Sequence, residues 1–209
     1  VGGGTKLAAQ HSQSPYSMFM NLAGLKIILP STPYDMKGLL KAAIRDDNPV
    51  MSFESNRLMG LEGDVPDDDY TVPIGKADVK REGTDITVVA IAWMVQEALA
   101  AAETLDKEGI SVEVVDPRTL VPMDSETIRA SVRKTGRLLV ADEAGPTAGA
   151  SAEIISLATE DPETFKTLRA PVSRVCALDT PIPYSPVLED YVFPNRDRIA
   201  DGIRAAMSA

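Results

Sequence analysis

The stretch LKIILPSTPYDMKGLLKAAIRDDNPVMSFE, residues 25–54, decides the fold class of this chain. It begins with a short apolar run, 25–30, whose β-branched residues predict a β-strand. Thr32 is a suitable N-cap and Pro33 a suitable first residue for the helix that follows. The run 49–54 predicts a second strand. A strand, a helix and a strand in this order predict a parallel β-α-β unit and therefore an α/β fold.

This unit is too small to bury a core by itself. The helix is predicted to bury one apolar face, because its apolar residues recur at helical spacing. These residues are Met36, Leu39, Leu40, Ala43 and Ile44. A parallel sheet needs cover on both faces and usually contains about four to six strands. We therefore expect the remaining strands of this first domain to lie upstream of Val1 or on a partner chain.

The rest of the chain predicts a second α/β domain that is joined to the first by a polar connector. We assign residues 1–60 to the first domain, 61–85 to a linker and 86–209 to the second domain. The linker is rich in glycine, proline and charge, and one short strand is expected near Thr71 to Ile74. In the second domain, apolar runs that predict parallel strands alternate with amphipathic helices. The strands are predicted over 86–91, 111–116, 137–143 and 172–178. The first helix is predicted to place Val95 to Leu105 on its apolar face and to stop at Gly109, and the others cover 124–136, 151–160 and 196–207.

The composition limits the classes of function. The 209 residues carry a formal net charge of −10, from 31 acidic and 21 basic side chains. Such a chain disfavours nucleic acid and membranes as partners, because both prefer basic surfaces. No apolar segment reaches the roughly 20 residues of a membrane span, and no signal peptide is visible. The single Cys176 excludes an internal disulfide and fits a reducing compartment, and its apolar neighbours predict a buried thiol.

The common catalytic and cofactor motifs are absent. The chain contains no GxGxxG, GxxxxGK[ST], HExxH, CxxC or GxSxG, so dinucleotide, triphosphate, zinc and serine-hydrolase sites are not supported. Acids do follow the predicted strands, at Asp116, Asp142 and Glu143. Ligands of open α/β sheets gather at the carboxyl ends of the strands. The same residue types are equally typical of caps and turns.

His11 is the only histidine and lies in the segment AAQHSQSPY, residues 8–16. An imidazole can donate or accept a proton near neutral pH, so His11 is the best candidate for a catalytic residue. The glycines upstream allow the backbone to approach a ligand closely. Gln10, Ser12 and Gln13 are expected to fix the tautomer of the imidazole by hydrogen bonding. A structural histidine is the alternative, and the local pattern leaves both open.

A second candidate site lies in KAAIRDDNP, residues 41–49. The last carbonyl groups of a helix lack intrahelical partners. Together with carboxylate and amide oxygens on the same turn, they suit a hard cation. The candidate ligands are Ala43, Ile44, Asp46 and Asn48. A simple helix stop before Pro49 is the alternative.

Six segments follow one another in the order of a known family. They are AAQHSQSPY, GLKIILPSTPYDMKGLLKAAIRDDNPV, VPIGKADVKREGTDITVVA, DPRTLVPMD, KTGRLLVADE and DTPIPYSPVLEDYVFPN. Together they closely resemble the beta subunit of the thiamine-diphosphate-dependent decarboxylating component of 2-oxoacid dehydrogenase complexes. This transketolase-like group includes pyruvate, branched-chain 2-oxoacid and acetoin dehydrogenases. The resemblance extends along the whole chain and corresponds to the C-terminal two-thirds of such a subunit.

The resemblance implies a fold and a site. Residues 1–60 would be the end of a thiamine-pyrimidine-binding domain with a parallel sheet, and 86–209 a transketolase C-terminal-type α/β domain. His11 corresponds to the active-site histidine of the QHSQ motif, which is thought to serve the 2-oxoacid and acyl transfer to a lipoyl arm. The glutamate that activates the cofactor would lie upstream of Val1, so this chain would contribute no cofactor-binding residue. A structural potassium ion would bind Ala43, Ile44, Asp46 and Asn48.

The resemblance also implies partners and a reaction. Family members form α2β2 heterotetramers that hold thiamine diphosphate and Mg²⁺ between an alpha and a beta chain, in the bacterial cytoplasm or the mitochondrial matrix. They decarboxylate a 2-oxoacid oxidatively and pass the acyl group to a lipoyl-bearing acyltransferase core, so this chain alone is expected to be inactive. An acetoin dehydrogenase beta subunit, a transketolase or deoxyxylulose-phosphate synthase relative, and a non-catalytic assembly module stay open. Departures from the usual pattern at 52–60 and 143–153 leave the substrate undecided.

Overall fold

The computed structural model describes residues 1–209, and its elements form an α/β fold with two β-sheets. The strands are β1 (Lys26–Ile28), β2 (Val50–Ser52), β3 (Asp78–Arg81), β4 (Ile86–Ala90), β5 (Val112–Asp116), β6 (Thr119–Val121), β7 (Leu138–Asp142) and β8 (Ser173–Cys176). The α-helices are α1 (Ala8–His11), α2 (Pro33–Ile44), α3 (Met94–Asp106), α4 (Ser125–Thr135), α5 (Ala150–Thr159), α6 (Pro162–Thr167), α7 (Pro186–Val192) and α8 (Arg196–Ser208). No helix has both the length and the apolar character needed to cross a bilayer.

The first sheet has the order β2-β1-β6 and contains the predicted parallel unit. β1 and β2 are parallel, with Ile27 opposite Met51. The helix between them begins as expected, because the Thr32 hydroxyl accepts a hydrogen bond from the backbone N–H of Asp35 at 3.1 Å and Pro33 opens the first turn. The third strand, β6, follows β5 of the second sheet in the chain and pairs antiparallel with β1. It was not predicted from the sequence.

The buried face of α2 differs from the predicted one. Gly38 and Leu39 are buried, whereas Leu40 is 38% exposed and Ile44 is 75% exposed. The segment that leads to the second sheet packs directly against Gly38, where a Cβ atom would lie 2.5 Å from a methyl group of Val72. This close approach turns the glycine side of the helix inward and leaves the Leu40–Ile44 stripe outside.

The second sheet has the order β3-β5-β4-β7-β8. The four predicted strands are present as β5, β4, β7 and β8 and are parallel, and the four predicted helices are α3, α4, α5 and α8. The prediction of a strand near Thr71 to Ile74 is wrong. The strand of this region is β3, which lies a few residues later and hydrogen-bonds antiparallel to the outer edge of β5. Helices α6 and α7 were not predicted.

Side chains that alternate along the buried strands build two cores. Val88 faces the core with α3 and α8, whereas its neighbour Val89 faces the core with α4 and α5. The second core also contains Tyr16, Ile27 and Phe53 from the first sheet and its surroundings. The two sheets therefore share one apolar core.

A buried carboxylate also joins the two sheets. Asp35 is fully buried in the first turn of α2 and accepts hydrogen bonds from Lys80 Nζ on β3, at 2.5 Å, and from Arg118 Nη1, at 3.0 Å. Burial alone would raise the pKa of Asp35, but the Lys80 ammonium, the Thr32 hydroxyl and the Arg118 guanidinium outweigh it, so the pKa is lowered. The ion pairs of Asp35 with Lys80 and Arg118 connect the parallel unit to the edge of the second sheet.

Asp35→Asn is expected to lower the free energy of unfolding by about 3 kcal/mol, because Lys80 and Arg118 lose a buried counter-charge. Since the folded state lowers the pKa of Asp35, its contribution is present at neutral pH and is lost as the pH falls below about 4. Urea unfolding at pH 7 and in the acid range measures both effects. Asp47→Asn, at an exposed residue beyond the other end of α2 without an ion pair, is the control, and equal stability of the two variants would contradict the prediction.

Candidate functional site

Residues 2–4, which we call the glycine strap, cross between the two sheets. The N–H of Gly2 donates to the carbonyl of Gln13 at 3.2 Å. The N–H of Gly4 donates to the carboxylate of Glu189 on α7 at 2.8 Å. Glu189 is fully buried and also accepts the N–H of Lys6 at 3.1 Å. The strap is therefore fixed both to the loop after α1 and to α7.

None of the three glycines of the strap has room for a side chain. A Cβ atom on Gly2 would lie 2.6 Å from Oε1 of Glu143, and one on Gly3 would lie 1.9 Å from the ring of Phe193. Gly2 and Gly4 also have φ angles of 84° and 86°, in the region that favours glycine. The glycine-rich start of the sequence thus has a steric reason, which is close packing against neighbouring side chains.

Arg57 holds the strap from the opposite side. Its Nε donates to the carbonyl of Gly3 at 2.8 Å. Its guanidinium carbon lies 5.7 Å from the ring centroid of Trp93 and 5.8 Å from that of Phe193, within the range of cation–π attraction. A Cβ atom on Gly4 would overlap this guanidinium group.

His11 is the last residue of α1 and is exposed. No hydrogen bond joins its imidazole to Gln10, Ser12 or Gln13, so the expected fixing of the tautomer is wrong for this structure. The reason is the direction of the chain, because Ser12 turns inward and is 1% exposed while Gln10 and Gln13 remain outside. The imidazole is free to meet a partner or a substrate from solvent.

A cleft of about 540 Å³ lies beside the His11 loop, between that loop and the carboxyl end of β7. We call it the acid cleft, because Glu143 and Asp179 line it. Glu143 is 3% exposed, and burial together with the charge of Asp142 raises its pKa to about 7, against the opposing charge of Arg57. Burial also raises the pKa of Asp142, whose carboxylate accepts the hydroxyl hydrogen of Tyr16.

The three strand-end acids do not meet at one site. Glu143, which follows β7, lines the acid cleft, and Asp142, the last residue of β7, lies next to it without lining the cleft; Asp116, the last residue of β5, lies beside the Asp35 ion pairs. Asp116 accepts the Ser31 hydroxyl, and burial raises its pKa to about 6. Asp116 thus belongs to the contact between the sheets.

In the segment predicted to bind a cation, the Asp46 carboxylate is already hydrogen-bonded to other side chains and backbone groups. One carboxylate oxygen of Asp46 accepts the ammonium of Lys26, and the other accepts the backbone and side-chain N–H groups of Asn48 at 2.9 and 3.0 Å. The hydrogen bonds from Lys26 and Asn48 lower the pKa of Asp46 to about 2. The carbonyl of Ala43 accepts the N–H of Asp46 at 3.3 Å, and the carbonyl of Ile44 accepts no hydrogen bond. The oxygen that remains available to a cation is therefore mainly the backbone carbonyl oxygen of Ile44.

Two family profiles match the chain. Residues 1–60 match the profile described as transketolase, pyrimidine binding domain, and residues 75–199 match transketolase, C-terminal domain. The chain belongs to the transketolase family. A solved structure, "Split gene transketolase, inactive beta4 tetramer", superposes with a TM-score of 0.79 over 96% of this chain and 63% of that one, at 24% identity, and supports the fold.

Curated relatives of this transketolase-family chain are beta subunits. The chain is 48% identical over 198 residues to the acetoin:2,6-dichlorophenolindophenol oxidoreductase subunit beta of Bacillus subtilis and 47% identical over 205 residues to the 2-oxoisovalerate dehydrogenase subunit beta of the same organism. It is 44% identical over 207 residues to the pyruvate dehydrogenase E1 component subunit beta of Bacillus subtilis. These matches cover 95–99% of the chain but only 57–63% of each relative.

Sequence reasoning found His11, Glu143 and the glycines but missed Arg57, Glu189 and Tyr16. The contacts that make these three residues important join positions far apart, such as Gly4 and Glu189, which are 185 residues apart. No local pattern marks them.

Gly3→Ala is expected to lower the free energy of unfolding by about 2–3 kcal/mol, because the new methyl group overlaps the buried ring of Phe193. Gly60→Ala is the matched control, since no atom lies within 4 Å of its Cβ position. Urea unfolding of both variants measures the difference. Similar stability of the two would mean that the strap is not tightly packed.

Proposed function

We propose that this chain is part of the beta subunit of a thiamine-diphosphate-dependent 2-oxoacid dehydrogenase component, similar to pyruvate dehydrogenase. The complete enzyme would decarboxylate a 2-oxoacid oxidatively and transfer the acyl group to lipoyl groups of an acyltransferase core. The observation that carries the proposal is the exposed His11, held beside a cleft by the glycine strap, in a chain with both transketolase-family domains. The relatives that are beta subunits of 2-oxoisovalerate dehydrogenase and pyruvate dehydrogenase support this reaction class.

The residues of this chain do not complete a site for thiamine diphosphate and Mg²⁺. No three His, Cys, Asp or Glu side chains converge as a metal site would need, and no basic side chain lines the acid cleft to bind a diphosphate. In this proposal, an alpha subunit and residues upstream of Val1 hold the cofactor and its Mg²⁺. An α2β2 heterotetramer in the bacterial cytoplasm or the mitochondrial matrix is the expected assembly.

His11 is proposed to act as an acid in the acyl transfer. When a lipoyl ring accepts an acyl group, its S–S bond breaks and one sulfur leaves as a thiolate. The imidazole of His11 would donate a proton to this sulfur, which general acids of this kind accelerate about 10²–10⁴-fold. Its exposure suits a reactant that arrives on a mobile arm from another protein.

An acetoin dehydrogenase beta subunit is the second candidate. The observation in its favour is the 48% identity to the acetoin-oxidising relative, only one point above the 2-oxoisovalerate relative. A transketolase or deoxyxylulose-phosphate synthase would need basic side chains for a sugar phosphate, and the acid cleft offers none. Turnover of pyruvate, 2-oxoisovalerate and acetoin by the reconstituted enzyme distinguishes the substrates.

His11→Ala is expected to reduce lipoyl-dependent turnover at least about 10²-fold in the heterotetramer reconstituted with an alpha subunit and the upstream segment. Size-exclusion chromatography should show unchanged assembly. Gln10→Ala, at the exposed residue beside His11, serves as the control and should keep its turnover. The 209-residue chain alone should show no decarboxylation. Near-normal turnover of His11→Ala would favour a non-catalytic assembly module.

We also propose a structural K⁺ ion at the C-terminal end of α2, bound by oxygens of Ala43, Ile44, Asp46 and Asn48. The carbonyl of Ile44 has no other partner, which supports a role as ligand. The ammonium of Lys26 already neutralises the Asp46 carboxylate, so it competes with the ion for that oxygen.

Lys26→Met is therefore expected to increase the stabilisation by K⁺, and Asp46→Asn to reduce it. At an ion concentration about 100-fold above the dissociation constant, the stabilisation amounts to about 2.7 kcal/mol. Thermal unfolding in equal concentrations of KCl, NaCl and choline chloride measures the effect, with Asp47→Asn as the exposed control. Identical behaviour in all three salts would leave the helix stop as the explanation of this segment.

A further inference from the structure

The turn that carries His11 has little support of its own. Helix α1, Ala8–His11, is four residues long, has no buried residue, and no side chain caps its N-terminus. A helix of this length is unstable by itself, because its few hydrogen bonds do not compensate for the lost freedom of the chain. The conformation of α1 is therefore imposed by the segments on either side of it.

The segment before α1 has an unfavourable backbone conformation. Lys6 has a φ angle of 62° and Ala8 one of 59°, both in the left-handed region. This region is unfavourable for a residue with a Cβ atom, and a native structure keeps such a residue there only where surrounding contacts hold it. A group from another part of the fold must therefore hold this segment.

The carboxylate of Glu189 on α7 is that group. It is fully buried, and one of its oxygens accepts the N–H of Gly4 at 2.8 Å while the other accepts the N–H of Lys6 at 3.1 Å. The Lys6 ammonium lies 3.1 Å from the second oxygen and balances its charge. The two oxygens thus bind the backbone on both sides of Thr5, which fixes the path of the chain into α1.

No other acid of α7 can replace Glu189 in this role. Asp190 accepts only the ammonium of Lys6, and its side chain is 66% exposed. An exposed ion pair of this kind contributes little and does not bind the backbone. On the far side of α1 the chain is anchored by the buried side chains of Ser12 and Tyr16. Glu189 therefore supplies the anchor before α1.

We propose that Glu189 is a positioning residue for His11. Its carboxylate keeps Gly4 to Lys6 on the path from which α1 starts, and so it holds the imidazole in place through the backbone. The inference deepens the proposed function, on which its relevance to acyl transfer rests. The position of His11 can nevertheless be measured in the 209-residue chain without any turnover.

The test uses the fact that His11 is the only histidine of the chain. Isotopic labelling of histidine alone gives one amide and one Cα signal in nuclear magnetic resonance spectra, and both report the backbone of His11. Glu189→Gln replaces one acceptor oxygen by a donor, so the amide of Gly4 or of Lys6 loses its partner. Hydrogen exchange of that amide should accelerate at least about tenfold, the effect of losing a hydrogen bond to a charged group. The His11 signals should move toward their positions in the urea-unfolded chain.

Two further variants of α7 separate positioning from a general loss of stability. Asp190→Asn removes the other acid that contacts Lys6 and should leave the His11 signals unchanged. Val192→Ala shortens the other buried side chain of α7 but keeps the carboxylate, so the His11 signals should again be unchanged. Unmoved signals in Glu189→Gln, or an equal movement in either control, would overturn the proposal.

A second variant applies where Glu189→Gln does not fold. Ala8→Val places a β-branched residue at a φ angle of 59° and should displace His11, whereas Ala9→Val, within the same helical turn, should not. Unchanged His11 signals in Ala8→Val would refute the positioning role. If His11→Ala keeps normal turnover while Glu189→Gln still displaces His11, the proposed function fails and the positioning role stands.

Discussion

The position of the His11 loop depends on a steric constraint, which is that no side chain fits on residues 2–4. Each glycine of the strap touches a group from a different part of the chain, namely the Glu143 carboxyl, the Phe193 ring and the Arg57 guanidinium. These contacts bring the ends of β2 and β7 and the turn after α7 to one line of backbone. The strap also hydrogen-bonds to Gln13, and so it fixes the position of the loop that carries the imidazole.

The strap lies in a region where the two sheets pack against each other. β6 follows β5 in the chain but completes the first sheet, and the core around Val89 includes Tyr16 and Phe53. The buried Asp35 with its two cations adds an electrostatic contact between the sheets. The division of the chain at residues 61–85 stays a prediction from its sequence.

The parts of the fold that local signals encode were predictable from the sequence. Thr32 and Pro33 mark the start of α2, and continuous apolar runs mark β4, β5 and β7. β3 and β6 were not predictable, because β3 is the charged run Asp78–Arg81 and β6 lies between Pro117 and Pro122, so neither shows an apolar strand pattern.

In the candidate site too, some residues can be found from local sequence and others only from the folded chain. A solitary histidine after glycines attracts notice in the sequence, whereas the grip of Glu189 and Arg57 on the strap depends on contacts that only the folded chain creates. Sequence patterns identify groups that can do chemistry. They do not identify the side chains that hold such groups in place, because those side chains act across the fold.

Glu143 connects the chemistry of the acid cleft to the position of His11. Its carboxyl lies against Gly2 on one side and at the cleft on the other, so a change in its charge acts on both. With a pKa of about 7, the group exists in both protonation states near neutral pH. The charge of Arg57 opposes the rise in the pKa of Glu143, and Arg57 is hydrogen-bonded to Gly3 of the strap. The Glu143 carboxyl is therefore linked to the strap both by its contact with Gly2 and through Arg57.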